Sequence, residues 1–326
     1  MSTYIKAGLW SKKKHGNNGE LDLDLLIVQN SPKVSNVGTN YVNVLGISTP
    51  IDNGTELQAA YTTAKTMTPS STNRITVVIS PGNYYLSTAL TLDTQYIDIV
   101  SLTGNSDVII LSDTLTLVVD IKANNILVKG LRTSKTINVT GDNLNFLVVE
   151  KCIAGANSFG YSTPVILSGT FIDCEALSGF GGIVTNTNGT FIRCKLTGSG
   201  NNGFGRWSDA SGIFTDCQTV SGSFGYGGTL GATGTFRRCI SIGGASFQKA
   251  AGNFYNCEGY GNVSFSGPSG NLYNCIASNN GGNSAFYPPI TGKLMWCRYI
   301  DGAFPTVSTG GKVYYGIDIN GQNNQL

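Results

Sequence analysis

The chain has 326 residues, 40% of them hydrophobic and only 12% charged. That size and apolar content exclude a disordered chain, and charge at about half the usual share excludes long solvated helices rich in Lys and Glu. A net charge of +2 and the lack of any run of about 18 apolar residues argue against a basic nucleic-acid-binding face and against membrane insertion.

In chain order, residues 1–50 read as an N-terminal arm. It has no apolar stretch of signal-peptide length, so the chain is expected to be made and folded in a reducing cytoplasm. Its basic cluster, Lys12, Lys13, Lys14 and His15, is followed by Glu20, Asp22 and Asp24, the pattern of a solvated segment. Leu9 and Trp10 beside Lys12, Lys13 and Lys14 are candidates for an anchor in an acid-rimmed pocket. Residues 51–72 read as a capping region. Thr55 and Gln58 match a capping box, and Leu57, Ala60, Tyr61 and Ala64 recur on one helical face. Pro69 stops the run, so a helix is predicted over 55–67, plugging the open end of a stack of strands.

Residues 73–310 carry that stack. Strand-like runs fall at 75–79, 96–102, 108–111, 115–121 and 144–149. A repeat then takes over, built on Cys152, Cys174, Cys194, Cys217, Cys239, Cys257, Cys275 and Cys297, spaced 18 to 23 residues apart. Seven of these cysteines end the same phrase: Gly, any residue, Phe or Leu, two residues, Cys. It reads GTFIDC at 169–174, GTFIRC at 189–194 and GNFYNC at 252–257. Phe159, Phe180, Phe204, Phe224, Phe247, Phe265 and Phe286 each fall between successive cysteines. A period near 20 without helical spacing fits one coil of a β-solenoid, in which like residues stack as ladders about 4.8 Å apart. Phe171 and Cys174, three apart, both point inward only if the chain bends between them. Asp173, Arg193, Asp216, Arg238, Asn256 and Asn274 occupy that bend, and the charges of the first four alternate in sign. The predicted fold is all-β, a parallel β-helix of about ten or eleven coils and about 50 Å, with an N-terminal arm and a short capping helix. Pro288, Pro289 and Pro305 are expected to interrupt the pattern, and residues 311–326 to form a last strand and a polar tail that is free or pairs with a partner subunit.

The segment TELQAAYTTAK, the strand ITVVIS and the turn PGNYYL resemble the start of pectate-lyase-like β-helices, where a capping helix leads into a first strand and a Pro-Gly-x-Tyr turn. Tailed-phage spikes and fibres begin the same way. The opening YIKAGLW and the later GELDLDLLI resemble N-terminal arms of phage virion proteins. This resemblance implies a right-handed coil, a homotrimer, attachment to other virion proteins through the arm, and a place on the virion after synthesis in the host bacterial cytoplasm.

The residues offer little chemistry. No Cys-x-x-Cys pair exists and a linear stack cannot surround a metal, so no metal or other cofactor is expected. Stacked Cβ atoms nearly 4.8 Å apart are poorly placed for disulfides, so the cysteines read as buried reduced thiols. His15 lies outside the solenoid, leaving no base there for serine or cysteine catalysis. Asp173 and Asp216, about 10 Å apart over two coils, are the candidate acid pair, but Arg193 between them would hold both ionised. For recognition, Trp207, Tyr226 and Tyr287 sit in excursions rich in Gly, Ser and Asn, where aromatics suit a glycan or a protein partner and equally suit corner packing. The expected function is a structural or adhesive virion protein, a tail spike, fibre or head-decoration protein, projecting its β-helix to bind the host surface or its polysaccharide. The alternative is a polysaccharide-degrading lyase or glycoside hydrolase on the same fold.

Overall fold

The computed structural model describes residues 40–314 except 141–143, 156–158, 161–166, 181–186, 199–202, 206–207, 226, 244, 280–285 and 301–309, together with 316–317 and 323–324. Alternating burial drives the strands: in Ile75–Ile79 residues 75, 77 and 79 are buried and their neighbours half-buried. Thirteen such strands, from Tyr41–Val44 through Ile75–Ile79 to Lys293–Met295 and Lys312–Tyr314, stack in parallel as sheet A. Sheet B, also of thirteen strands, runs from Gly82–Tyr85 to Arg298–Tyr299 and Gly316–Ile317, and Asn323–Asn324 closes it antiparallel. A third side is made of short pieces: Leu90–Leu92, Leu117–Ile121 and Thr136–Val139, then single bridges through Phe159, Phe180, Phe204 and Phe224, then Ala245–Phe247, Val263–Ser266 and Phe286–Tyr287. The chain is a parallel β-helix. Thirteen ranks in sheet A make a rod about 58 Å long at ordinary strand spacing.

Register turns the repeat into two aromatic columns. Phe171, Phe191, Phe214, Phe236 and Phe254 align rank on rank in sheet A, followed by Leu272, Leu294 and Val313. Their rings lie 4.7 to 5.0 Å apart and within 8° of parallel. Phe159, Phe180, Phe204, Phe224, Phe247 and Phe265 form the facing column with the same spacing. Between columns the rings meet edge to face, as Phe204 meets Phe214 at 5.4 Å and 78°. Parallel-displaced contact within a column and edge-to-face contact across it are the two arrangements the ring quadrupole favours.

The bend before each cysteine is a left-handed residue. Lys151, Asp173, Arg193, Asp216, Arg238, Asn256, Asn274 and Trp296 all have φ between 50° and 56°. Backbone hydrogen bonds reverse there. Asp173 N–H donates forward to Ile192 O at 3.0 Å, whereas Lys195 N–H donates back to Cys174 O at 2.9 Å. This reversal is why Phe171 and Cys174 both face the core. Gly130 (φ 78°) makes the same turn one rank earlier, with Leu131 in the cysteine's place. Glycine opens each phrase because consecutive backbones stack tightly: a Cβ on Gly252 would collide with the carbonyl oxygen of Gly234.

The capping helix spans Pro50–Thr66, starting earlier than the 55–67 read from sequence. Its cap is Thr49, whose hydroxyl accepts from Asp52 N–H, with Pro50 at the first helical position. Thr55 and Gln58 are not a capping box. The Thr55 hydroxyl donates to Ile51 O, and the Gln58 amide reaches Thr88. The buried face holds Leu57, Ala60, Tyr61 and Ala64 as expected, with Asn53 and Gly54 added. Asn53 fixes the helix to the first coil by donating to Asn83 O and accepting from Ser48 N–H. Pro288 and Pro289 do not interrupt the solenoid. They sit between Phe286–Tyr287 and buried Ile290, and sheet A continues beyond them. The last strands Lys312–Tyr314 and Gly316–Ile317 join sheets A and B, and the tail residues Asn323–Asn324 pair within the chain.

Phe214 stacks on two rings and meets Phe204 and Phe224 edge-on. Phe214→Ala should cost about 3–5 kcal/mol, while its exposed neighbour Ile213→Ala should stay within about 0.5 kcal/mol. Urea denaturation of both variants followed by circular dichroism measures the contrast. Equal losses would mean that the aromatic columns do not carry the core.

Candidate recognition surface

With the core repeated rank after rank, what differs between ranks lies on the outward positions. The bend residues form one outward line. Arg193 donates two hydrogen bonds to Asp173, from Nε at 2.6 Å and from a terminal nitrogen at 2.8 Å. Arg238 grips Asp216 in the same way at 2.5 and 2.8 Å. The alternating charges therefore resolve into two bidentate pairs along the axis. Further on, the line becomes an amide ladder in which Asn274 Nδ2 donates to Asn256 Oδ1 at 2.8 Å.

The hydrogen bonds from Arg193 hold the Asp173 carboxyl below the usual carboxylate range, and those from Arg238 do the same for Asp216. Each arginine would hold its partner ionised, so neither aspartate is suited to protonate a leaving group near neutral pH. A depressed folded-state pKa adds stability above the ordinary Asp value, and that stability is lost as pH falls through the folded value. An Asp173→Asn, Asp216→Asn double variant should keep the fold. It should melt slightly below the wild type at pH 7, and the difference should close below about pH 4. Thermal scans across pH follow this. Loss of a polysaccharide-cleaving activity in the same variant would overturn the ladder role.

The thiols line the inside of the same bend. All eight cysteines are buried and reduced. Cys194 Sγ lies 3.3 Å from Phe171 O, Cys217 Sγ 3.3 Å from Phe191 O, and Cys239 Sγ 3.4 Å from Phe214 O. A small apolar group able to donate weakly to the carbonyl one rank back satisfies both the tight bend and the stacked backbone. Each thiol is shut away from solvent, so no reagent in water reaches it while the coil is folded. A water-soluble disulfide reagent should therefore label none of the eight in the native protein and all eight in guanidinium. Rapid native labelling would contradict burial of the column.

Sheet A presents a second outward line, one residue before each bend: Ile172, Ile192, Thr215, Arg237, Tyr255, Tyr273 and Met295. Tyr255 and Tyr273 stack at 5.1 Å and 4°, and the Arg237 guanidinium lies 5.4 Å over the Tyr255 ring. Trp296 and Tyr314 continue the aromatic surface and are exposed. Sequence reading missed this cluster by looking only at long excursions. The signal was present in the phrase itself, since alternation beside an inward Phe or Leu forces the next residue outward.

Of the aromatics expected to bind a partner, Tyr287 lies on the third side, paired with Ser266 and exposed. Trp207 and Tyr226 lie outside the described residues, as do Leu9, Trp10, Lys12, Lys13 and Lys14. Tyr287 and the sheet A cluster therefore sit on different sides of the coil. Near the helix cap, a groove of ≈ 620 Å³ is lined by Pro50, Ile51, Tyr85, Leu111, Asp113 and Lys135 among others. Tyr85 and Asp113 hydrogen-bond each other there. Among the described residues, no group of three or more His, Cys, Asp or Glu is placed to hold a metal ion. No helix among them is long and apolar enough to cross a membrane.

No family model matches the chain, and no curated protein does. Among solved structures it is similar to a protein described as Geobacillus virus E2 ORF18, at 13% identity and a TM-score of 0.32. The match covers 86% of this chain and 60% of that one, so the chain spans less than two thirds of that protein's length.

Proposed function

We propose that this chain is a structural and adhesive protein of a tailed-phage virion, a tail spike, fibre or head-decoration protein. The arm ahead of the strand Tyr41–Val44, residues 1–39, anchors it to other virion proteins, since 41–50 already belong to the first rank and the helix cap, and the β-helix projects toward surface polysaccharide of the host as part of a homotrimer. The observation that carries this reading is the construction of the rod. Stacked Phe columns and rank-to-rank hydrogen bonds at every bend make a stiff spacer with a repeated interior and a varied exterior. The capping helix, the strand Ile75–Ile79 and the Pro81-Gly82 turn follow one another as the resemblance to phage β-helices implies, with the strand Tyr41–Val44 standing ahead of the helix in the same sheet. Binding is favoured over cleavage because the outward carboxylates Asp173 and Asp216 are each held by an arginine.

Solution mass by light scattering tests the assembly, on the full chain and on a chain lacking residues 1–39, which leaves the strand Tyr41–Val44 and the Thr49 cap in place. A trimer in both is expected, because the arm serves attachment and the rod serves assembly. A monomer in both would overturn the spike or fibre reading. Release of new reducing ends or unsaturated sugars from a bacterial polysaccharide would replace adhesion by depolymerisation.

A further inference from the structure

The last five of the thirteen strands of sheet A differ in charge from the rest of the sheet. From the strand Thr235–Arg237 to the strand Lys312–Tyr314, the outward and bend positions carry Arg237, Arg238, Lys293 and Lys312 and no carboxylate. Arg238 is committed to Asp216, but Arg237, Lys293 and Lys312 are exposed and appear in no ion pair among the described residues. Between these cations lie the Tyr255 and Tyr273 pair, exposed Trp296 and two amide ladders. In the ladders, Asn271 Nδ2 donates to Asn253 Oδ1 at 2.9 Å and Asn274 Nδ2 to Asn256 Oδ1 at 2.8 Å. A primary amide has two donors and an acceptor with two lone pairs, so each ladder leaves hydrogen-bonding capacity facing outward.

We infer that this face is a binding surface for an acidic polysaccharide lying along the rod axis. The inference rests on the adhesive reading above and names its ligand class and its place. Three features converge on that occupant. Cations without local carboxylates complement an anionic chain. Amides and phenolic hydroxyls, set side by side in the two successive ranks of Asn253, Tyr255 and Asn256 and of Asn271, Tyr273 and Asn274, suit the repeated hydroxyls of a linear sugar polymer. Exposed Trp296 and Tyr314 offer ring faces or edges to the apolar C–H surface of a sugar. A protein partner would use an aromatic core with a charged rim, whereas here the cations and aromatics are spread over neighbouring lines along five ranks.

The test uses the full chain and a triple variant, Arg237→Gln, Lys293→Gln, Lys312→Gln. All three side chains are exposed, so the fold is not at stake. Calorimetric titration with sodium alginate, neutral dextran and a short DNA duplex at two salt concentrations reads the result. Expected is alginate binding that weakens at least tenfold in the variant and falls with salt, with dextran weaker throughout and unaffected by the substitutions. A Tyr273→Ala variant should weaken alginate binding without changing its salt dependence, which separates sugar contact from charge alone. Alginate bound no better than dextran, or equally by wild type and triple variant, would overturn the inference. DNA binding as tight as alginate with the same dependence on the three cations would also overturn it, by making the face a general anion surface. The light-scattering result is independent: a trimer with no alginate preference removes this site and leaves the adhesive reading standing, whereas a monomer removes that reading.

Discussion

Everything in this rod depends on each coil turning at the same residue. Parallel strands in register make ladders only while the rank repeats, and a slip of one residue would send every Phe to solvent. The left-handed residue before each cysteine enforces the turn. A non-glycine residue there costs about 1–2 kcal/mol of backbone strain, and the chain accepts it at eight successive ranks from Lys151 to Trp296. The cost is offset because the bend reverses the backbone hydrogen bonds, so the N–H of the bend residue finds a carbonyl ahead and that of the residue after the cysteine finds one behind. The donors on either side of the buried cysteine are thereby paired with carbonyls of the neighbouring ranks. Cysteine follows because the inside of so sharp a turn admits only a small apolar group, and sulfur can also approach the carbonyl one rank back.

The legible parts of the sequence were those set by this constraint. The Gly-x-Phe-x-x-Cys phrase exposed the period, both aromatic columns and the position of the bend, because each is repeated and each has one physical solution. What was misread lies where the chain is not periodic. Thr55 and Gln58 offered a plausible capping box, but Thr49-Pro50, with its cap six residues earlier, is the stronger start, and tertiary contacts of Asn53 and Gly54 with the first coil recruit that extra turn. Pro288 and Pro289 looked like an ending because proline is poor in a ladder, yet they fall in a connection where no ladder donor is needed. The Tyr255 and Tyr273 surface was overlooked for the opposite reason. It is spread one residue per rank, so no single stretch of sequence shows it.

Electrostatics along the outside obey the same geometry with opposite consequences in the two halves. A ladder of identical charges about 4.8 Å apart would repel at every step. In the middle ranks the bend line alternates Asp and Arg, which pairs the charges and ties neighbouring coils by side chains as well as backbone. In the later ranks neutral Asn takes over the bend line, and the cations move to outward strand positions, with Lys293 and Lys312 facing each other on adjacent ranks. The first arrangement pairs its charges, whereas the second sets Lys293 beside Lys312 and leaves charge open to an anionic partner.

That difference bears on why such a rod suits adhesion. Since every coil buries the same kinds of side chain, an outward substitution in one coil leaves the packing of the others untouched, and the solenoid behaves as a row of nearly independent display positions. A cleft-based site needs residues from several loops brought to one point, and a mutation in any of them disturbs the rest. A line of outward residues on a parallel sheet instead binds cumulatively, each rank adding a small contact to an extended ligand. Affinity then grows with the number of ranks engaged, which is the property expected of a surface that must hold a long polymer without cutting it.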